Sequence, residues 1–354
     1  MYAMVDSSNQ IGSRTNRRTL LAAGLGTTAA LAGCLDSLDE GVSGGSSDDS
    51  QLTIVTASSE TGTYAASQGI AATVDKNADD IDVEAQPSQG TEDNIGRLGR
   101  GEADIGMIQH RSAQKILNGD EPYGSLDYTP NQIFHYNDLP WLFVTNNDWT
   151  SIADIGSDAR VSPTPGKSGT RETLTEALGT VTDDYEQISV SYGEQAGAMQ
   201  EGQLDVGVVT ISNFDFEASW IQEMKQTVDT RILEWPEDAL SELEDNTGVP
   251  MEPIDMTRDS LSGYAHAPDE AMGVNIPYNF IVRNDHEYDY IYSFLETMYE
   301  YRESMKEDHP YLGYYMDDEW WTTRMYDDFP FHPAAADFYE EKGMWSDDFV
   351  RGEE

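Results

Sequence analysis

The feature that most constrains the fold is a short pattern that occurs twice. GEADIG begins at Gly101 and GQLDVG begins at Gly202, and each leads into an apolar run typical of a buried strand. Each copy also follows the same order of segments, which is strand, polar loop, helix and then a second helix-like stretch. We therefore predict an α/β fold with two similar lobes, each a mostly parallel sheet flanked by helices. Coincidence is the alternative, because Gly-Asp turns before strands are common.

The segments around the two copies can be placed on this plan. The first copy predicts a strand at 52–57, a polar loop at 58–64, a helix at 65–74 and a helix at 92–98. The second predicts a short strand at 159–162, a loop at 165–170 and a helix at 171–178. Apolar segments 137–147 and 272–284 each predict a strand that crosses between the lobes as a hinge, and 288–305 has helical periodicity. The aromatic-rich segment 310–350 is expected to form short helices on the first lobe.

The start of the chain has the order of an export signal. Arg17 and Arg18 precede a weakly apolar run, and Leu31-Ala32-Gly33 then precede Cys34, the single cysteine of the 354 residues. This order predicts a twin-arginine signal that ends in a lipoprotein cleavage site. The run at 19–31 is shorter than the ~20 apolar residues that a membrane span needs. We expect the mature protein outside the cytoplasm, attached by a lipid on Cys34 to the outer face of the cell membrane.

This organisation predicts four parts. They are a signal peptide at 1–33, a flexible tether rich in Ser, Gly and Asp at 34–50, a first lobe at 51–142 plus 276–354, and a second lobe at 143–275.

The charge of the chain is extreme. It has 20 Lys and Arg against 66 Asp and Glu, for a net charge of -46 at pH 7. Its aromatic content of 10% argues against a disordered acidic chain. A folded, halophilic protein fits better, because molar salt shortens the Debye length to about 3 Å and screens the self-repulsion. The charge also argues against nucleic acid as a partner.

Two polar turns before helices could bind an anion. Residues 165–171 (PGKSGTR) and 61–64 (TGTY) precede the first helix of each copy. Glycines let the backbone approach a ligand, and the amide groups at a helix start favour negative charge. The turn at 165–171 is not a P-loop, because the leading glycine of that motif would fall at Val161. Ordinary helix capping is the alternative for either turn alone.

No catalytic or metal-binding set stands out in the sequence. The six histidines are scattered, and Ser168 has no identifiable base. We expect no enzyme activity, no cofactor and no metal site. The paired aspartates at 183–184, 317–318 and 327–328 are interpreted as solvated surface, and the aromatic residues at 320–331 as core.

Several motifs together resemble the TAXI family of TRAP-transporter solute receptors. They are Gly62-Thr63-Tyr64, the segments 88–94, 102–109, 165–171 and 202–209, Ser191-Tyr192, and the stretch from Phe331-His332-Pro333 to Lys342-Gly343. The resemblance covers most of residues 52–343. It implies the type II periplasmic-binding-protein fold and a receptor that closes on a small solute and presents it to the TRAP membrane subunits.

Carried over by position, the resemblance implies a set of ligand-binding residues. They are Thr63 and Tyr64 from one lobe, Ser168, Gly169 and Thr170 from the other, and Gln109 at the end of its strand. Thr61, Gly62 and Gly166 of the two polar turns are further candidate ligand-binding residues. The sequence departs from the family at Glu60, where small residues are usual, and at Gln89, where glycine is usual. Glu60 in the cleft would disfavour a second carboxylate on the solute.

The function expected from these observations is an extracytoplasmic, monomeric solute-binding receptor of a TRAP-type transporter. Its solute would be an amino or organic acid such as glutamate, captured by hinge closure between the lobes. A secreted α/β hydrolase and a surface ligand sensor without transport are the alternatives.

Overall fold

The computed structural model describes residues 50–59, 61–165, 168–243 and 249–353. The predicted signal peptide, Cys34 and most of the tether lie outside the described residues, as do Glu60 and Gly166. Within these ranges no helix combines the length and the apolar character needed to cross a membrane.

The described chain alternates strands and helices, as the α/β prediction requires. The strands are β1 Gln51–Val55, β2 Asp82–Gln86, β3 Ile105–Gln109, β4 Pro130–Asn137, β5 Pro140–Thr145, β6 Arg160–Val161, β7 Glu186–Gln187, β8 Val206–Ser212, β9 Phe216–Glu217, β10 Arg231–Ile232, β11 Met251–Asp255, β12 Glu270–Asn275 and β13 Tyr278–Arg283. The helices are α1 Gly62–Asn77, α2 Thr91–Gly99, α3 His110–Asn118, α4 Arg171–Gly179, α5 Gln195–Gln200, α6 Ser219–Thr227, α7 Glu237–Glu242, α8 Tyr288–Glu300, α9 Arg302–Asp308 and α10 Pro333–Lys342.

These strands form two mixed sheets with matching centres. The first sheet has the order β2-β1-β3-β13-β4, and the second has the main order β11-β12-β5-β8-β6-β7. The triples β2-β1-β3 and β7-β6-β8 are both parallel, with α1 and α2 connecting the first triple and α4 and α5 the second. The predicted repeat of two similar α/β units with helices around two sheets is therefore confirmed.

The prediction of mostly parallel sheets is wrong outside these triples. β13 pairs antiparallel with both β3 and β4, and β5 pairs antiparallel with both β8 and β12. The physical reason lies in the two crossings between the sheets. One crossing leaves the first sheet and the other returns to it, so the strands at the crossings run in opposite directions.

The chain crosses between the sheets at the two predicted segments. β4 of the first sheet is followed by β5 of the second, and β12 of the second is followed by β13 of the first. Segment 272–284 was predicted as one strand but contains two, because Pro277 lacks the N–H that a continuous ladder needs. Buried Asp138 Oδ1 accepts a 2.7 Å hydrogen bond from Asn275 Nδ2, which ties the crossings together.

The repeated motif has the same structural role in both sheets. Gly101 and Gly202 have φ of 65° and 63°, a conformation that glycine adopts without strain. The aspartate of each motif accepts a hydrogen bond from the backbone of the neighbouring strand. Asp104 Oδ2 accepts from Thr53 N at 2.8 Å, and Asp205 Oδ2 accepts from Arg160 N at 2.8 Å. The motif therefore fixes the register of a central parallel pair rather than forming a binding site.

The C-terminal segment packs on the first sheet, as predicted. The helical stretch at 288–305 is divided at Tyr301 into α8 and α9, and short 3-10 helices follow at 310–316 and 318–322. Most of the aromatic residues predicted as core are buried, and Trp320 is partly buried. The buried ones are Trp321, Tyr326, Phe329 and Phe331. The aspartate pairs predicted as surface are exposed.

Candidate functional site

The candidate site is a cavity of about 670 Å³ between α3 and the N-terminal part of α4. α3 follows β3 of the first sheet, and α4 follows β6 of the second, so the two walls come from different sheets. The cavity is lined by Glu92, Gln109, Arg111, Ser112, Lys115, Pro122, Tyr123, Ser168, Gly169, Arg171, Glu172, Thr175, Glu176 and Gln187.

Three of the predicted ligand-binding residues line this cavity together. Gln109 comes from the first wall, and Ser168 and Gly169 come from the second. Gln109 Nε2 donates a 2.8 Å hydrogen bond to the carbonyl oxygen of Gly169, so the two walls touch directly. Thr170 is buried behind Ser168, and their side-chain oxygens are 2.7 Å apart.

The other predicted turn lies elsewhere. Thr61, Gly62, Thr63 and Tyr64 are absent from the described lining of the cavity. Thr61 is the N-cap of α1, where its Oγ1 accepts a 3.1 Å hydrogen bond from Tyr64 N. The carbonyl oxygen of Thr63 accepts a hydrogen bond from the hydroxyl of Tyr136. Helix capping, the alternative weighed for this turn, therefore accounts for Thr61.

This turn nevertheless lies near the second sheet. A Cβ atom at Gly62 would come within 2.9 Å of the hydroxyl oxygen of Tyr311. The ring of Tyr311 in turn packs against Phe216 of β9, with 5.6 Å between the ring centroids. Both predicted turns thus approach the opposite sheet, but through different contacts.

Among the described residues, the hydroxyl of Ser168 has two hydroxyl partners and accepts a 3.4 Å hydrogen bond from the backbone N–H of Thr170. It lies 2.7 Å from Thr170 Oγ1 and 3.3 Å from the hydroxyl oxygen of Tyr192. Burial raises the pKa of Tyr192, which keeps that phenol protonated at neutral pH. Neither partner can accept the proton of Ser168 as a general base, so the arrangement does not activate a nucleophile.

Ion pairs connect the walls at one side of the cavity. Arg111 of α3 pairs with Glu172 at 3.1 Å and with Glu176, both of α4. Lys115 Nζ lies 2.7 Å from Glu172 Oε2. Its hydrogen bond, together with the charge of Arg111, holds the pKa of Glu172 below the usual value. Two of the basic groups of the lining are thus neutralised by carboxylates.

Arg171 differs from the other two basic residues of the lining. Its Nη1 donates to the carbonyl oxygen of Thr164 at 2.5 Å, and its Nη2 donates to that of Ile188 at 3.2 Å. Within the described ranges it forms no ion pair with a carboxylate. Arg171 is therefore a basic residue of the lining whose side chain bonds backbone carbonyls rather than carboxylates.

Arg111 and Lys115 line the cavity without having been predicted, and Arg171 was predicted only as the last residue of the polar turn at 165–171. Arg171 belongs to the PGKSGTR segment, and Arg111 is two residues after Gln109. Their closeness in sequence to predicted site residues could therefore have indicated that they line the site. Gln89, a departure from the resembled family, is exposed and only its backbone N–H bonds Asp93 Oδ2, at 3.1 Å. It therefore does not reshape this cavity.

Comparison with known proteins identifies the family. The chain matches the NMT1-like family over residues 54–343, which is most of its length, and it belongs to that family. None of the curated proteins compared with the chain matches it.

Solved structures resemble the chain only distantly. XAC2383 from Xanthomonas citri bound to ATP is 14% identical, with 82% of this chain and 95% of that chain covered and a TM-score of 0.45. The ligand binding component of an ABC-type import system from Staphylococcus aureus with zinc bound is 12% identical, with 85% and 96% covered and a TM-score of 0.45. The periplasmic aliphatic sulphonate binding protein SsuA from Escherichia coli is 11% identical, with 75% and 78% covered and a TM-score of 0.43. Similarity at this level does not indicate what this chain binds.

Proposed function

We propose that the protein is an extracytoplasmic receptor that binds a small carboxylate solute between two lobes. The observation that carries the proposal is the 670 Å³ cavity, whose walls belong to different sheets and meet at Gln109 and Gly169. Sites between two units joined by a few crossings are typical of small-molecule binding. The charge of Arg171, which has carbonyl rather than carboxylate partners, favours an anionic group on the solute.

The finer proposal is a TRAP-type receptor of the TAXI family for glutamate or a related acid. The lobes would be residues 51–142 plus 276–354 and residues 143–275, closing about the crossings near Asp138 and Asn275. The closed form would present a composite surface to TRAP membrane subunits. Support comes from the motifs in the sequence and from the two crossings, each of which has only two residues between its strands.

We further propose that the receptor is a monomer held at the outer face of the membrane by a lipid on Cys34. The twin-arginine order, the single cysteine and the polar tether support this proposal. The net charge of -46 supports a halophilic protein and disfavours nucleic acid as a partner. A catalytic role is disfavoured because Ser168 has no base beside it among the described residues.

The direct test is a titration of the purified mature protein with amino and organic acids in concentrated salt. A solute that binds only the native state stabilises it by about 2.7 kcal/mol when present at 100 times its Kd. We expect one or a few acids to raise the unfolding midpoint and to give a saturable calorimetric signal. If none of the acids stabilises the protein, the proposed class of solute is wrong.

A further inference from the structure

A second, much smaller cavity adjoins the candidate site. It has a volume of about 30 Å³ and shares Gln109 and Arg111 with the larger cavity. Gln114 of α3 and Thr173 of α4 also line it. Further lining residues are Pro250, just before β11, and Asn275 and Ile276 at the second crossing between the sheets.

Four polar atoms on the residues that line this cavity have no hydrogen-bond partner among the described residues. They are Gln109 Oε1, Arg111 Nε, Thr173 Oγ1 and Asn275 Oδ1. The residues Gln109, Thr173 and Asn275 are 3%, 6% and 1% exposed. Buried polar groups are almost always hydrogen-bonded, because an unmet donor or acceptor loses its hydration without compensation. Four such atoms on residues that line the same small cavity therefore point to a polar occupant.

The hydrogen-bonding capacities of these atoms specify that occupant. The amide oxygens of Gln109 and Asn275 can only accept, and the Nε–H of Arg111 can only donate. The hydroxyl of Thr173 can do either. A water molecule offers two donors and two acceptors, and a cavity of this kind needs at least about 10 to 15 Å³ to hold one.

We propose that this cavity binds one water molecule. The water donates to Gln109 Oε1 and Asn275 Oδ1, and it accepts from Arg111 Nε–H and Thr173 Oγ1–H. All four polar atoms are then satisfied. A metal cation is disfavoured because the guanidinium of Arg111 would repel it, and an anion is disfavoured by the two amide oxygens.

The water would position Gln109 for its contact with the opposite wall. With Oε1 held by the water, the amide nitrogen must point the other way, as it does in donating to the Gly169 carbonyl oxygen. The same water would join α3, α4 and the second crossing. It would thus link the lining of the larger cavity to the segment that connects the sheets.

A crystal structure at a resolution near 1.5 Å tests the proposal without any variant. We expect density for one water with its four partners at hydrogen-bond distances of about 2.7 to 3.2 Å. An empty cavity would overturn the proposal, as would an ion with contacts of about 2.3 to 2.6 Å. Density for a solute atom would also overturn it.

Variants give a second readout in solution. Thr173→Val removes one hydrogen-bond donor and keeps the side-chain shape. Thr175→Val is the matched control, because its hydroxyl on the same helix bonds Gln187 at 3.1 Å in an exposed pair. Oxygen-17 relaxation dispersion counts long-lived internal waters.

We expect Thr173→Val to lose one long-lived water and to lower the unfolding midpoint by about 2 to 4 °C. The control should retain the water and the midpoint. An unchanged water count in Thr173→Val would contradict the proposal. Neither readout requires a solute, so failure here is distinct from failure of the proposed receptor function.

Discussion

At the scale of single residues, histidine caps a helix at two places. His332 Nδ1 accepts a 3.3 Å hydrogen bond from Ala334 N, and Pro333 occupies the first position of α10. His309 Nδ1 likewise accepts from Tyr311 N at 3.2 Å. An accepting nitrogen must be unprotonated. Burial lowers the pKa of both side chains, that of His332 to about 4.

The cap at His332 predicts a loss of stability in mild acid. Its folded pKa of about 4 lies below the ordinary value of 6.5, so protonation favours the unfolded chain. The contribution is complete above pH 6.5 and is lost as the pH falls through 4. The His332→Asn variant keeps a capping side chain that does not titrate.

We therefore measure the free energy of unfolding in urea at pH 7 and at pH 4.5. We expect it to fall by about 2 kcal/mol less between these pH values in the His332→Asn variant than in the unchanged protein. Carboxylates titrate equally in both proteins and cancel in the comparison. Equal pH dependence of the two proteins would contradict the prediction.

A second prediction at this scale concerns Arg171. Arg171→Gln removes the positive charge from the cavity, so we expect the affinity for a bound acid to fall at least about tenfold, or ~1.4 kcal/mol. Arg100→Gln is the control, because Arg100 is exposed and pairs with Glu102 away from the cavity. Calorimetric titration of both variants, with the unfolding midpoint as a check on folding, makes the measurement. A similar loss in both variants would assign the effect to net charge rather than to the site.

At the scale of elements, the repeated motif made part of the strand arrangement predictable from the sequence. Hydrophobic periodicity and the glycine and aspartate pattern predicted β1 and β3 of the first parallel triple and β6 and β8 of the second, because these strands belong to the two copies of the pattern. The outer strands β2 and β7 of the triples were not predicted. The antiparallel strands were not predictable in this way. β13, for example, pairs with β3 and β4, from which it is separated by the whole second sheet.

The candidate site was predictable only in part. Ser168 and Gly169 lie in a glycine-bearing turn before a helix, so local sequence pointed to them. Gln109 ends β3 and was expected at the site only from the family resemblance. Arg111 was missed because charged residues on helices usually face solvent. The guanidinium of Arg111 pairs with Glu172 and Glu176 only because α3 packs near α4, a helix that is distant in sequence.

A packing prediction applies to Gly207, the second residue of β8. A Cβ at Gly207 would lie 2.3 Å from Gln195 Oε1 and 3.1 Å from Met199 Cε. The side chain of Gln195 cannot move freely, because its amide bonds both backbone groups of Val208. We expect Gly207→Ala to lower the free energy of unfolding by about 1 to 3 kcal/mol.

Gly156→Ala is the matched control, because a Cβ there meets nothing within 4 Å. Its effect should remain within about 0.5 kcal/mol. Denaturant unfolding of the two variants gives the comparison, and equal stability would show that β8 tolerates the added methyl group.

At the scale of the whole molecule, the net charge of -46 dominates the behaviour in solution. Self-repulsion among so many carboxylates opposes the compact state. Ion pairs can neutralise only a minority of them, because the chain has 20 Lys and Arg for 66 Asp and Glu. Stability should therefore depend strongly on the ionic strength.

We expect the unfolding midpoint to rise steeply between 0.1 and 2 M sodium chloride, where the Debye length falls from about 10 Å to below 3 Å. Calorimetry over this range, with sucrose at matched osmolality as the uncharged control, makes the measurement. A midpoint that is constant or falls with salt would argue against the halophilic proposal.

The two crossings also determine how the molecule would bear force. β1 belongs to the first sheet, and the bridge between Phe331 and Arg351 anchors the far end of the described chain beside the same sheet. The second sheet is an insertion whose entrance and exit are adjacent. Tension applied at Gln51 and Arg351 would load the first sheet directly and bypass the inserted one. Optical tweezers attached at these points would therefore report rupture of the first sheet before any extension from the second.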